Sequence, residues 1–60
     1  MYQAIFDKSI AESKGVLLWL NGQTVSGIVV KVHEDFVELR SREYSRIVVR
    51  LSSINAAAIP

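Results

Sequence analysis

The pair Asn21-Gly22, set between the apolar run at 16–20 and the Val- and Ile-rich run that opens at Gln23, constrains this chain more than any other feature. Asn and Gly tolerate positive φ at both central positions of a tight hairpin turn, so the two runs are expected to pair as antiparallel strands at 16–20 and 23–33. Side chains alternate along a strand, which sends Leu17 and Trp19 to one face and Val16, Leu18 and Leu20 to the other. Both faces are apolar. A two-faced strand in so short a chain needs a second cover, either a helix or another subunit.

The remaining elements follow from the same reading. Tyr2, Ile5, Phe6 and Ile10 have the spacing of one buried helical stripe, which predicts a helix over 2–13, with Gly15 as terminator and the Lys14 cation in its last turn. Gly27 falls inside the second strand, where a sharp bend or a close backbone approach is the use for a residue without Cβ. Strong curvature is expected there. Glu34-Asp35 breaks the pattern before a third strand at 36–40, and 41–44 breaks it before a fourth at 46–50. Ser52-Ser53 offers a one-turn connection to a fifth strand at 54–59, which Pro60 ends. Three consecutive alanines in that strand leave room for close packing. The two segments 26–32 and 45–51 share a pattern, but two strands of similar burial explain it without a repeat architecture. The expectation is a mainly β single domain over 1–60: an N-terminal helix, then a small, strongly bent five-stranded antiparallel barrel, partly open.

Size sharpens the need for partners. Sixty residues bury only about 60% of their unfolded surface. With no cysteine there is neither a disulfide framework nor a thiolate metal site, which leaves oligomerisation as the available staple. Half of the residues are apolar and 22% charged, too hydrophobic a balance for intrinsic disorder. The net charge of +1 implies neither a nucleic-acid nor a membrane partner by itself, so any such partner has to be read from local patches. The run at 16–20 is far shorter than the roughly 20 apolar residues that span a bilayer. Charges at Asp7, Lys8, Glu12 and Lys14 do not fit a signal peptide, which makes a cytoplasmic location the expectation.

The order of elements resembles the Sm-like family, which includes the bacterial RNA chaperone Hfq. Leu17, Trp19, Asn21-Gly22, Gly27, Val29, Phe36 and Leu39 are similar to its first motif, and Val48-Val49-Arg50-Leu51-Ser52-Ser53-Ile54 to its second; together they cover 16–59. The resemblance implies a homo-oligomeric ring of five to seven subunits in which the fourth strand of one copy pairs with the fifth of the next, and single-stranded RNA as ligand. The chain departs from the family where RNA is read. His33 stands at the consensus Asp, Val37 at the Asn that contacts the base, and Leu51 at the Gly after the motif's Arg, and the Lys-His pair of Hfq is missing. The turn at 33–35 is also one residue longer than in Hfq. The scaffold therefore transfers more safely than the uridine-binding chemistry.

Candidate RNA contacts are Phe36, Arg50, Arg40, Arg42, Arg46 and His33. Phe36 either stacks on a base, an interaction of about 1–3 kcal/mol, or is a core aromatic. Arg50 either contacts phosphate or base near the pore, multiplied by ring symmetry, or pairs with Glu38 or Asp35. All four arginines lie within 40–50 with Glu43 as the only acid, a local charge of +3 against −2 for the remainder. Such a strip either attracts RNA or is the solvated, aggregation-resistant face of an edge strand.

His33, Glu34 and Asp35 form the only cluster of catalytic or metal-binding residue types. A solvated turn accounts for it, since one histidine without cysteine is a poor transition-metal site. No nucleophile elbow or glycine-rich phosphate loop is present, so neither an enzyme nor a cofactor is expected. Two functions stay open: a non-catalytic RNA-binding ring, and an assembly or protein-interaction module that keeps the ring and has lost RNA recognition.

Overall fold

The computed structural model describes residues 2–60. Helix α1 spans Gln3–Glu12 and is followed by strands β1 (Gly15–Leu20), β2 (Gln23–Val32), β3 (Phe36–Arg40), β4 (Ile47–Arg50) and β5 (Ile54–Ala58), with a 3-10 turn at Leu51–Ser53 before the last. The five strands form one antiparallel sheet in the order β4-β3-β2-β1-β5. The sheet is bent but not closed. Strands β4 and β5 are its two ends and each pairs on one side only.

The β1–β2 hairpin closes from Leu20↔Gln23 across Asn21-Gly22, as the sequence predicts. Only Gly22 takes a positive φ (84°), however, and Asn21 does not. The turn thus has the pattern that needs glycine only at its second central position, and the expectation of positive φ at both positions is corrected.

Bending has two visible causes. The β2–β3 register passes from Val29↔Leu39 to Lys31↔Glu38, which makes Val30 an extra residue, and Val30 is turned outward. Two residues N-terminal to the irregularity, a Cβ on Gly27 would sit 2.8 Å from the Arg40 carbonyl oxygen and 3.3 Å from Leu39 Cβ. The glycine lets β3 lie against β2 where a side chain would wedge them apart. Ten straight residues at about 3.3 Å each would run roughly 30 Å, whereas the whole domain measures 26 × 26 × 23 Å.

The core lies between the concave face of the sheet and the helix. Phe6, Val16, Leu18, Val29, Val37, Leu39, Val49 and Ile54 are buried, and alternation along β1 and β3 accounts for Val16 and Leu18, and for Val37 and Leu39. Leu17 is half-buried and Trp19 stays 40% exposed on the opposite face. Within the monomer, the second cover expected for β1 is therefore provided on one face only.

The helix departs from its expected form in two ways. It ends at Ser13, which adopts the left-handed conformation (φ 54°) and donates its N–H to the Ser9 carbonyl, while Gly15 already belongs to β1 and Lys14 lies beyond the last turn. Its buried stripe is Phe6 and Ser9, with Tyr2 and Ile5 packed alongside, whereas Ile10 is 42% exposed. Ser9 is fully buried because its hydroxyl is needed. The Oγ accepts the Val29 N–H at 3.0 Å and donates to the Lys14 carbonyl. It thereby satisfies a backbone donor beside the bulge and ties helix, connection and strand together. The Tyr2 hydroxyl adds a second tie, donating to the Ile54 carbonyl at the start of β5 (3.1 Å).

Candidate nucleic-acid interface

Burial of Val37 and Leu39 forces Phe36, Glu38 and Arg40 onto the outer face of β3. Phe36 is the register partner of Arg50, so the aromatic and the guanidinium-bearing residue face each other across adjacent strands. The β2–β3 turn is closed by the His33 N–H donating to the Phe36 carbonyl (2.8 Å), and the Leu51 N–H donates to the Asp35 carbonyl (2.9 Å). That second bond draws the end of β4 onto the turn. Between them lies a cleft of about 790 Å³ lined by Glu34, Asp35, Phe36, Val48, Arg50 and Leu51, with Ser52 at its margin.

One face of Phe36 is occupied. His33 stacks on it with ring centroids 4.2 Å apart and an interplanar angle of 18°. The His33 Nε2 is 3.2 Å from Glu38 Oε1, and the Arg46 Nε forms an ion pair with Glu38 Oε2 at the same distance. Glu38 is thus a bracket that holds the histidine against the phenylalanine and turns Arg46 back over the strand. An ion pair with a partner as exposed as Arg46 contributes well under 1 kcal/mol, so the bracket orients side chains more than it stabilises the fold.

Of the sequence candidates, the structure brings Phe36, His33 and Arg50 into one region at the end of β3 next to the 33–35 turn, whereas Arg46 precedes β4 at the other end, where Ile47 pairs with Leu39, and only its side chain reaches back to Glu38. Arg40 and Arg42 lie at the opposite end of β3, beside a groove over Gly15 and Gly27. Phe36 is half-buried on the outer face, not in the core. Arg50 forms no ion pair among the described residues, and Glu38, one partner considered for it, is engaged by His33 and Arg46 instead.

Sequence reasoning did not pick out Glu38 as the organising acid, nor Val48, which is 52% exposed and lines the cleft. Both sit on the outward parity of their strands. Once Val37 and Val49 are assigned to the core, that parity is the signal for them. The cleft also carries two carboxylates against one guanidinium, so it is not basic. Among the described residues no cluster of His, Asp and Glu is arranged to hold a metal ion. Among the same residues no helix is long and apolar enough to cross a membrane.

Comparison with protein-family models, with curated proteins and with solved structures finds no match.

Proposed function

We propose that this chain is the subunit of a homo-oligomeric, Sm-like ring that binds single-stranded RNA without catalysis. A base stacks on the open side of Phe36, Arg50 meets the adjoining phosphate or base edge, and Arg40, Arg42 and Arg46 extend the contact toward the rim. His33 backs the stacking platform. The observation that carries this reading is the open sheet, in which β4 and β5 are opposite ends with free backbone edges. Free edges are a template for strand addition, and two complementary ends on one copy suit a closed series of copies. The short side chains of Ala56, Ala57 and Ala58 on β5 and the exposed Val48 on β4 suit a close, apolar seam between them.

A second reading rests on a different observation. Val37, at the place of the family's base-contacting Asn, is fully buried, and the cleft holds Glu34 and Asp35 beside its one arginine. Both features favour a ring that serves assembly or protein contact and has lost RNA recognition.

Light scattering at several concentrations tests the ring, and a monomer throughout overturns both readings. Fluorescence anisotropy with short uridine-rich and adenine-rich RNA tests the ligand. Salt-sensitive binding is expected, because phosphate neutralisation releases counterions. Absence of binding at low salt by a confirmed oligomer leaves the assembly reading. Loss of RNA retention with Arg50→Ala and Arg42→Ala supports the first reading, whereas protein partners retained by these variants support the second.

A further inference from the structure

The turn at 41–44, between β3 and β4, is built to present an aromatic ring. The Ser41 N–H donates to the Tyr44 carbonyl (2.8 Å) and the Tyr44 N–H donates to Ser41 Oγ (3.2 Å), so backbone and side chain close the same four residues. Tyr44 leaves this closed turn 63% exposed, more than Val48, Val30, Ile10 or Trp19. A ring carried on a fixed turn engages a flat partner without the cost of ordering a loop.

Its surroundings mix apolar and hydroxyl-bearing side chains with two arginines and one acid, Glu43. On one side of the turn lies a groove of about 520 Å³ with Gly15 and Gly27 at its floor and Arg40 and Arg42 along it. On the other lies a groove of about 310 Å³ lined by Tyr44, Thr24, Val25 and Ile47. Ser26, Ser41 and Glu43 border both, which makes the two grooves one continuous track around the turn. Neither Arg40 nor Arg42 forms an ion pair among the described residues, so their charges remain open to a ligand.

We infer that Tyr44, with Arg40 and Arg42, forms a second stacking site for single-stranded RNA on the rim of the domain, separate from the Phe36–Arg50 cleft. This rests on the proposed RNA-binding role. The ring takes a base face, the two guanidiniums take phosphates, and the hydroxyls of Ser26 and Ser41 border the groove between them. Stacking on an aromatic ring is tolerant of sequence, because every base has a π-face. Strand β3 links the two sites. Phe36 and Arg40 are four residues apart on its outer face, about 13 Å, and Glu38 between them is covered by His33 and Arg46. One RNA strand can therefore run from cleft to rim without crossing an unpaired carboxylate on β3.

The experiment compares wild type, Tyr44→Ala, Tyr44→Phe and Phe36→Ala by anisotropy with a uridine 12-mer and an adenine 12-mer, after circular dichroism shows each variant folded. Tyr44→Ala is expected to weaken both RNAs by roughly 5- to 100-fold, the range for loss of one base–aromatic stack. Tyr44→Phe is expected to retain affinity. Ultraviolet cross-linking of RNA to the wild-type protein is expected to mark the tryptic peptide 43–46, a readout that needs no variant to fold. If Phe36→Ala weakens binding while Tyr44→Ala does not and peptide 43–46 stays unmarked, the rim site is wrong and the cleft reading survives. If the wild-type oligomer binds no RNA, both fall. Binding lost with Tyr44→Ala and unchanged with Phe36→Ala supports the rim site and removes the cleft.

Discussion

Replacing Ser9 with alanine removes one oxygen from the interior and leaves two backbone groups to find new partners. The Val29 N–H loses its acceptor at 3.0 Å, and the Lys14 carbonyl loses its donor. Lys14 is exposed, so water can satisfy its carbonyl, but Val29 is only 3% exposed, which leaves its N–H little access to water. A buried donor left without a partner costs about 1–3 kcal/mol. In a chain of this length each kcal/mol lowers Tm by about 4–8 °C, so a loss near 2 kcal/mol lowers it by roughly 8–16 °C.

Urea denaturation and thermal melts at one fixed protein concentration measure the effect, the concentration being held because oligomers gain stability by mass action. Ser45→Ala, at an exposed position, is the control and is expected to stay within about 0.5 kcal/mol of wild type. Amide hydrogen exchange adds a local readout, with the Val29 N–H losing protection before its neighbours in β2. A Ser9→Ala protein as stable as Ser45→Ala, with Val29 still protected, would refute the clamp.

Three other substitutions follow from the same geometry. Gly27→Ala sets a Cβ 2.8 Å from the Arg40 carbonyl oxygen and is expected to cost about 1–3 kcal/mol of stability, measured by urea denaturation. Val37→Asn, which installs the Asn of the Sm-like motif that the chain resembles, places an amide at a site with 0% exposure. It is expected to destabilise by roughly 3 kcal/mol with no gain in RNA affinity, as read by thermal melting and anisotropy. Glu34→Gln with Asp35→Asn removes both carboxylates from the Phe36–Arg50 cleft and is expected to raise RNA affinity several-fold at low salt, an increase that fades as salt rises.

Much of the fold was legible because strand signals are local. Asn21-Gly22 marked the hairpin, the polar pairs marked the breaks, and Ser52-Ser53 fell in the one-turn connection at Leu51–Ser53. What stayed hidden depends on distant partners. Ser9 reads as an interruption of an apolar stripe until Val29 is seen to need an acceptor, and Ile10, which the spacing places inside, is displaced outward as the helix turns Phe6 and Ser9 toward the sheet. Asn21 was credited with a positive φ that the turn asks of Gly22 alone.

The site was legible to a similar depth. Phe36 and Arg50 were singled out as candidates from motif position, and their cross-strand pairing follows once β3 and β4 are in register. The bracket of His33 and Arg46 on Glu38 was not found, because it joins three elements whose separations in sequence carry no period.

The bend set by Gly27 and the extra residue at Val30 has a further consequence for assembly. A contact made between unlike ends of one sheet is head-to-tail, and it returns to its starting point only when the angle between successive copies divides a full turn. Where the angle falls short or carries a pitch, the same contact continues without limit as a filament. In the proposed ring, the close approach of β2 and β3 at Gly27 thus bears on the architecture as well as the packing, and forcing the strands apart by one methyl group with Gly27→Ala is expected to give helical fibres or altered circles visible by electron microscopy.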